Sequence, residues 1–346
     1  MTTKLDFSIL KTLTQLPGIS GRENAVRNYL KKTLCPYADQ ERTDALGNLI
    51  LTKKGTSTKN LLLCAHMDEV GLMVRFIDER GFLRFVTVGG IDPRTLLAQR
   101  VRVQTKTGAL LGVIGTKPAH ITTEAERSKA VSLQDLFIDL GLPAKQVKQQ
   151  VQVGDFVVLD RPYEEFGEGL ICAKAIDNRA GAFILAEVFK RLKNPYYTVQ
   201  TVFTVQEEVG LRGATTAAFG IDADVCLCLD TTGAADIPGV APQDYITQIG
   251  AGVGISALDA CTITLQPLFE ALIKMCEVKK IAHQVRIAQR GGNDAGAVHL
   301  SKTGIPTCAF SLPTRNIHSN VEICSKQDIQ SMFTLTLLCA QKGIKF

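Results

Sequence analysis

Residues 202–213 read VFTVQEEVGLRG. Val202, Phe203 and Val205 have the β-branched and aromatic character of a central strand. The run ends on two adjacent carboxylates, Glu207 and Glu208, and then on a glycine-bounded turn. Negative charge at the edge of a core is costly unless a cation, a donor or water compensates it. Ligands of open α/β sheets gather beyond the carboxyl ends of the strands. A solvated strand-to-helix loop is the ordinary fate of such a pair, so the reading depends on the partners that the rest of the chain supplies.

The chain has 346 residues, which favours two domains over one. Hydrophobic residues make up 45% and charged residues 21%, so a sizeable core is expected and disorder is not. The net charge of +5 is mild and the basic residues are spread out, which argues against a nucleic-acid partner. The ten cysteines form no C-x-x-C pair, and most sit in apolar runs such as LLLCA and DVCLCLD. Reduced, buried thiols in a cytoplasmic protein are the expectation. MTTKLDFSIL lacks a secretory apolar region and no stretch is long enough to span a bilayer, so no membrane partner is expected.

Working outward, residues 5–16 read as an amphipathic helix closed by Pro17 and Gly18, and Ser20 with Glu23 suggests a capping box for a second helix. LLLCA at 61–65 is a short buried strand that delivers His66 and Asp68. From 71 to 162 the texture becomes short alternating segments, an all-β pattern for a barrel or sandwich, with one helix-like excursion at TTEAERSKAVSLQDLF. Beyond it the α/β texture returns: helices at 178–193, 211–219, 265–279 and 294–302, strands at 199–205, 225–229, 284–288 and 306–311, and a last helix from Lys326. The expected architecture is one discontinuous α/β domain, 1–70 plus 163–346, interrupted by a β-rich insertion at 71–162.

His66 and Asp68 are two apart at a strand end and point to the same side. A histidine metal ligand usually donates its other ring N–H to a carboxylate, a role Asp68 suits. Asp177 in AKAIDNRAGA, Asp230 after DVCLCL and His318 in LPTRNIHSN each have an ordinary explanation as a cap, a turn or a loop residue. They share a position, however, at or just beyond the carboxyl end of a predicted strand of one domain. Two histidines and several carboxylates converging there suit zinc, cobalt or manganese. With a metal pair, one of Glu207 and Glu208 would be a ligand and the other would take a water proton. No nucleophile elbow, phosphate loop or dinucleotide fingerprint competes.

CAHMDEVGLMV, AKAIDNRAGA, VQEEVGLRGA, the Asp230 strand end, GGNDAGAVHL and PTRNIHS occur in this order. In these motifs and their spacing the chain resembles the glutamyl/leucyl aminopeptidases that form tetrahedral assemblies, also filed as endoglucanase-M-like, of the dizinc co-catalytic clan. The resemblance implies a mixed-sheet, three-layer α/β fold with an inserted small barrel or PDZ-like domain that dimerises. It implies two metal ions, one held by His66, Asp177 and Asp230 and the other by Asp177, Glu208 and His318. Glu207 would be the general base, Asp68 would orient His66, and the Asp177–Asn178 peptide would be cis. Two departures stand out: Asn178 where relatives carry Asp, and Asn293 where Thr is usual.

The expected function is metal-dependent removal of N-terminal residues from peptides with a free amine, by a homo-oligomer that is a dimer or a dodecamer. Gly291, Gly292, Asn293 and Asp294, with 253–258, are candidate pocket walls. An N-acyl amino acid deacylase and a non-catalytic metal-binding assembly are the alternatives. A cellulase would use two metal-free carboxylates.

Overall fold

The computed structural model describes residues 5–346. Its centre is the strand Asn60–His66, which pairs in parallel with Thr198–Thr204 on one side and Val225–Gly233 on the other. Val225–Gly233 runs parallel to Thr307–Thr314. Direction reverses at Val253–Leu258, which is antiparallel to Thr307–Thr314 and parallel to the edge strand His283–Ile287. Leu49–Lys53 and Gln40–Thr43 complete the other edge as antiparallel strands. Among the described residues this is an eight-stranded mixed sheet.

Side-chain alternation along Asn60–His66 sorts the two faces. Leu61, Leu63 and Ala65 join the larger core with Leu10, Leu30, Phe183, Leu272 and Met332, contributed by helices Phe7–Gln15, Asn24–Leu34, Ile176–Arg191, Gln266–Lys279 and Lys326–Lys342. Leu62 and Cys64 face the other way, against Val202, Cys226, Cys228, Ala214 and Val298, under helices Arg212–Phe219 and Ala295–Val298. The result is the three-layer arrangement expected. Central parallel strands are buried on both faces, which is why they read as continuous apolar runs.

The β-rich stretch is a closed barrel. Its strands follow the order Gly71–Ile77, Leu83–Val88, Phe137–Asp139, Gly108–Gly115, Arg100–Thr105 and Phe156–Leu159. Alternate residues, among them Leu72, Val74, Val101, Val103, Ile138 and Val157, fill its interior. Closure leaves no unpaired edge along these strands. A small antiparallel sheet of Glu164–Phe166, Leu170–Ala173 and Glu322–Ser325 follows the barrel.

Three local expectations are corrected. Ser20 and Glu23 form no capping box: the helix Asn24–Leu34 lacks a side-chain cap, the Ser20 hydroxyl donates to Asp68, and Glu23 accepts the amides of Gly21 and Gln206. Tertiary partners outcompeted the local cap. The excursion TTEAERSKAVSLQDLF holds one short helix, Glu124–Arg127, and a turn at Leu133–Asp135 before Phe137 joins the barrel. The helix expected at 294–302 spans only Ala295–Val298.

Candidate metal centre

The parallel register decides which groups meet. Thr204 pairs with His66, so Glu207 and Glu208 in the turn beyond that strand stand next to the histidine. Cys228 pairs with Cys64, which puts Asp230 level with His66 on the adjacent strand. Asp177 enters from the start of the helix Ile176–Arg191, and its peptide bond to Asn178 is cis, as the resemblance led us to expect. His318 comes from the loop after Thr307–Thr314.

The nitrogens and oxygens of these side chains converge. His66 Nε2 lies 3.2 Å from Asp177 Oδ1, 3.5 Å from Asp230 Oδ1 and 3.9 Å from Glu207 Oε2. His318 Nε2 lies 3.2 Å from Asp177 Oδ2 and 3.4 Å from Glu208 Oε2. Each Asp177 oxygen thus faces a different histidine. Ligand atoms of His66, Asp177 and Glu208, and those of His66, Glu207 and Asp230, lie within 4.8 Å of one another.

The electrostatics are unbalanced. Burial opposes charge on His66, yet Glu207, Asp230 and Asp177 hold its pKa well above the usual imidazole range. Burial also opposes charge on His318, and the Asp177 carboxylate overturns this, moving it to about 10. Burial, then the Asp177 charge, pushes Glu208 up to about 8. Burial drives Glu207 far above the usual carboxyl range, with Asp230, Asp294 and Glu208 adding to it against the pull of His66. Burial raises Asp177 too, but His318 and His66 outweigh it and hold this carboxylate far below the normal range. Four carboxylates face two imidazoles, so a cation relieves the site.

The donor set fits divalent ions. His66 Nδ1 contacts the Asp68 carbonyl at 3.0 Å. A carbonyl only accepts, so Nδ1 carries a proton, and Nε2 is left as the nitrogen that would ligate an ion on losing its own proton. His66 Nε2 lies 3.2 Å from Asp177 Oδ1, and both this oxygen and Glu208 Oε1 are buried without a hydrogen-bond partner. Ligand atoms 2.0–2.1 Å from a tetrahedral ion stand about 3.3 Å apart, close to the separations across both clusters.

The supporting residues differ from expectation. The Asp68 carboxylate is 3.6 Å from His66 Nδ1, and its main-chain oxygen makes the ring contact instead. The Asp68 carboxylate is occupied by the amides of Glu207 and Glu208 and by the Ser20 hydroxyl. Glu322, which sequence reasoning missed, is buried and accepts the Asp177 amide at 2.9 Å and the His318 amide at 2.8 Å. Its signal is only one acidic residue in an otherwise strand-like VEIC. Arg179, fully buried, ties the Met67 carbonyl to those of Leu13, Leu16 and Gly18. Asn178 donates to the Leu229 carbonyl, next to Asp230, and accepts the Gly181 amide. An aspartate there could not make the first of these bonds.

Of the candidate pocket walls, Gly291 and Gly292 are exposed. Asn293 and Asp294 are buried: Asn293 bonds Asp259 and the Ala295 amide, and Asp294 accepts the Thr204 hydroxyl. Residues 253–256 form a buried interior strand, and 257 and 258 at its end are half-buried.

The sequence profile of the M42 glutamyl aminopeptidases matches residues 47–335. The chain belongs to the M42 family. Metal-dependent aminopeptidase, the expected activity, is the activity class of that family. The chain is 30% identical to the lysyl aminopeptidase of Pyrococcus furiosus, over 96% of this chain and 95% of the relative. Among M42-like structures, a TET aminopeptidase from a marine sediment archaeon of the Thaumarchaeota superposes with a TM-score of 0.94 at 37% identity, covering 97% of this chain and 96% of that one. The Pyrococcus horikoshii TET1 peptidase, which can assemble into a tetrahedron or a large octahedral shell, superposes with a TM-score of 0.87 at 33% identity over 97% and 99% of the two chains. Among the described residues of this M42 member, no helix is long and apolar enough to cross a membrane.

Proposed function

We propose that the protein is a dinuclear aminopeptidase in which His66, Asp177 and Asp230 would hold one divalent ion and Asp177, Glu208 and His318 the other. The observation that carries this reading is Asp177 itself, whose two oxygens each lie 3.2 Å from the Nε2 of a different histidine. Zinc, cobalt and manganese all suit this mixed oxygen and imidazole set. When bound, such a pair polarises the scissile carbonyl and makes a water molecule more acidic.

Glu207 is the remaining carboxylate of the cluster and acts as general base. It takes the proton of the attacking water and returns it to the departing amine. A carboxylate suits both transfers, because the oxygen that accepts the proton can then donate it. Asp68 fixes the turn from which Glu207 reaches the water. The matching profile is named for a glutamyl and one relative for a lysyl aminopeptidase, so acidic and basic first residues both belong in the test.

We infer self-association from the same family resemblance. The barrel exposes Phe76, Val86, Leu111 and Val113, an apolar set suited to a dimer contact, and a tetrahedral dodecamer is the larger assembly to test. The cysteines are free and most are buried, which suits the cytoplasm.

The test is a metal-reconstituted assay on matched free and N-acetylated peptides beginning with Glu, Asp, Leu or Lys. Cleavage confined to the free series is expected, and its rank order supplies the specificity. Cleavage of the acetylated series would make the protein a deacylase or an endopeptidase. Glu207→Gln should keep its metal by elemental analysis and lose nearly all turnover, and full turnover in that variant would overturn the base assignment.

A further inference from the structure

Beneath the carboxylate–histidine cluster lies a group of side chains that the peptidase reaction does not use. Cys64 on the strand Asn60–His66 and Cys226 and Cys228 on the adjacent strand Val225–Gly233 project into the same layer. Cys64 and Cys228 sit directly opposite each other in the parallel register. Their sulfurs are 2.9 Å apart, Cys226 and Cys228 are 3.6 Å apart, and Cys64 and Cys226 are 4.0 Å apart. All three are buried. Their hydrogen bonds run around the triangle, and their neighbours in the layer are Ile50, Leu62, Val202, Ala214 and Val298.

We propose that these three thiols form a sulfur-only site for a soft d10 cation of the copper(I) class, separate from the centre that holds the divalent ions. Three sulfurs sharing an ion at about 2.3 Å stand about 3.8–4.0 Å apart. Two edges of the triangle, at 3.6 and 4.0 Å, are near that spacing already, and the third opens by about 1 Å through side-chain rotation. Among the described residues no histidine or carboxylate joins the three within ligand range. Zinc, which favours four ligands, is poorly served by a triangle under an apolar roof, whereas thiolate ligands select copper(I). Each thiol that ligates releases its proton to solvent, and the ion keeps its oxidation state. The cluster above offers only oxygen and imidazole nitrogen, so the two sites sort ions by softness.

The test uses protein loaded with its divalent ions and carrying Cys35→Ser and Cys261→Ser, which removes the thiols that are not buried. Copper(I) is titrated without oxygen against a chromogenic copper(I) chelator, and the product is read by X-ray absorption at the copper edge. One copper per subunit in a three-sulfur shell is expected. Cys226→Ala and Cys226→Ser should each reduce the shell to two sulfurs and weaken binding at least tenfold. Cys276→Ala, a buried thiol on the opposite face of the sheet, should change neither reading. No copper taken from the chelator, a nitrogen and oxygen shell, or an unchanged three-sulfur shell in a folded Cys226 variant would each overturn the proposal.

Discussion

The carboxylate of Asp68 accepts the backbone amide of Glu207 at 3.1 Å and that of Glu208 at 3.2 Å. One buried side chain therefore ties the strand end that carries His66 to the turn that carries both glutamates. Hydrogen bonds to a charged acceptor are among the stronger ones in a protein. Asp68→Asn keeps the shape but turns an amino group toward one of the two N–H groups. We predict a fall in kcat of about 10–100-fold with an unchanged circular dichroism spectrum. A kcat within twofold of wild type would refute this positioning role.

Glu322 does for Asp177 and His318 what Asp68 does for the glutamates, by accepting both of their amides. Glu322→Gln retains one acceptor and should weaken metal binding by about 10–100-fold in a chelator competition. Glu322→Ala leaves two amides without a partner and should also destabilise the fold, by about 1–3 kcal/mol for each. Metal affinity equal to wild type in both variants would show that the two ligands are held by other means.

Metal binding should depend steeply on pH. Glu208 has its pKa raised from 4.5 to about 8 by burial and the Asp177 charge, and His318 is raised from 6.5 to about 10. Because both folded-state values are raised, their contribution to the stability of metal-free protein is complete below the unfolded values. It is lost as pH climbs through about 8 for Glu208 and about 10 for His318. Metal ions bind the deprotonated forms and are favoured as these contributions fade. The gap in Tm between loaded and stripped protein should widen from about pH 6 to about pH 8, and adding ions to stripped protein at neutral pH should release protons. A gap that narrows over this range would contradict the prediction.

The glutamate turn also depends on a missing side chain. A Cβ at Gly213 would lie 2.4 Å from Asn48 Oδ1 and from the Val205 carbonyl. Asn48 itself accepts the Val205 amide and donates to the Gly213 carbonyl, clasping the two ends of the turn. Gly213→Ala forces that clasp open. We predict a loss of about 3 kcal/mol in chemical denaturation, together with reduced turnover. Wild-type stability would mean that the turn relaxes without cost.

Much of this was legible in the sequence because periodicity is a local property. The apolar runs around Leu61–Ala65, Val202–Val205 and Val225–Leu229 announce buried parallel strands, and the alternating texture from 71 to 162 announces the barrel. Residue chemistry likewise nominated His66, Asp177, Glu207, Glu208, Asp230 and His318. The Ser20 and Glu23 pattern misled because a capping box is judged from four residues, while both side chains found partners more than forty positions away, in Asp68 and Gln206.

The amino-acid order by itself determined which strands are buried, where the barrel interrupts the α/β chain and which side chains can bind a cation. Tertiary structure alone decided the rest. Register set Asp230 level with His66 and put the three thiols of Cys64, Cys226 and Cys228 in contact. Long-range hydrogen bonds made Glu322 and Asp68 the holders of the ligand backbones. These outcomes depend on distances between residues far apart in the chain, and such distances exist only once the sheet has closed around them.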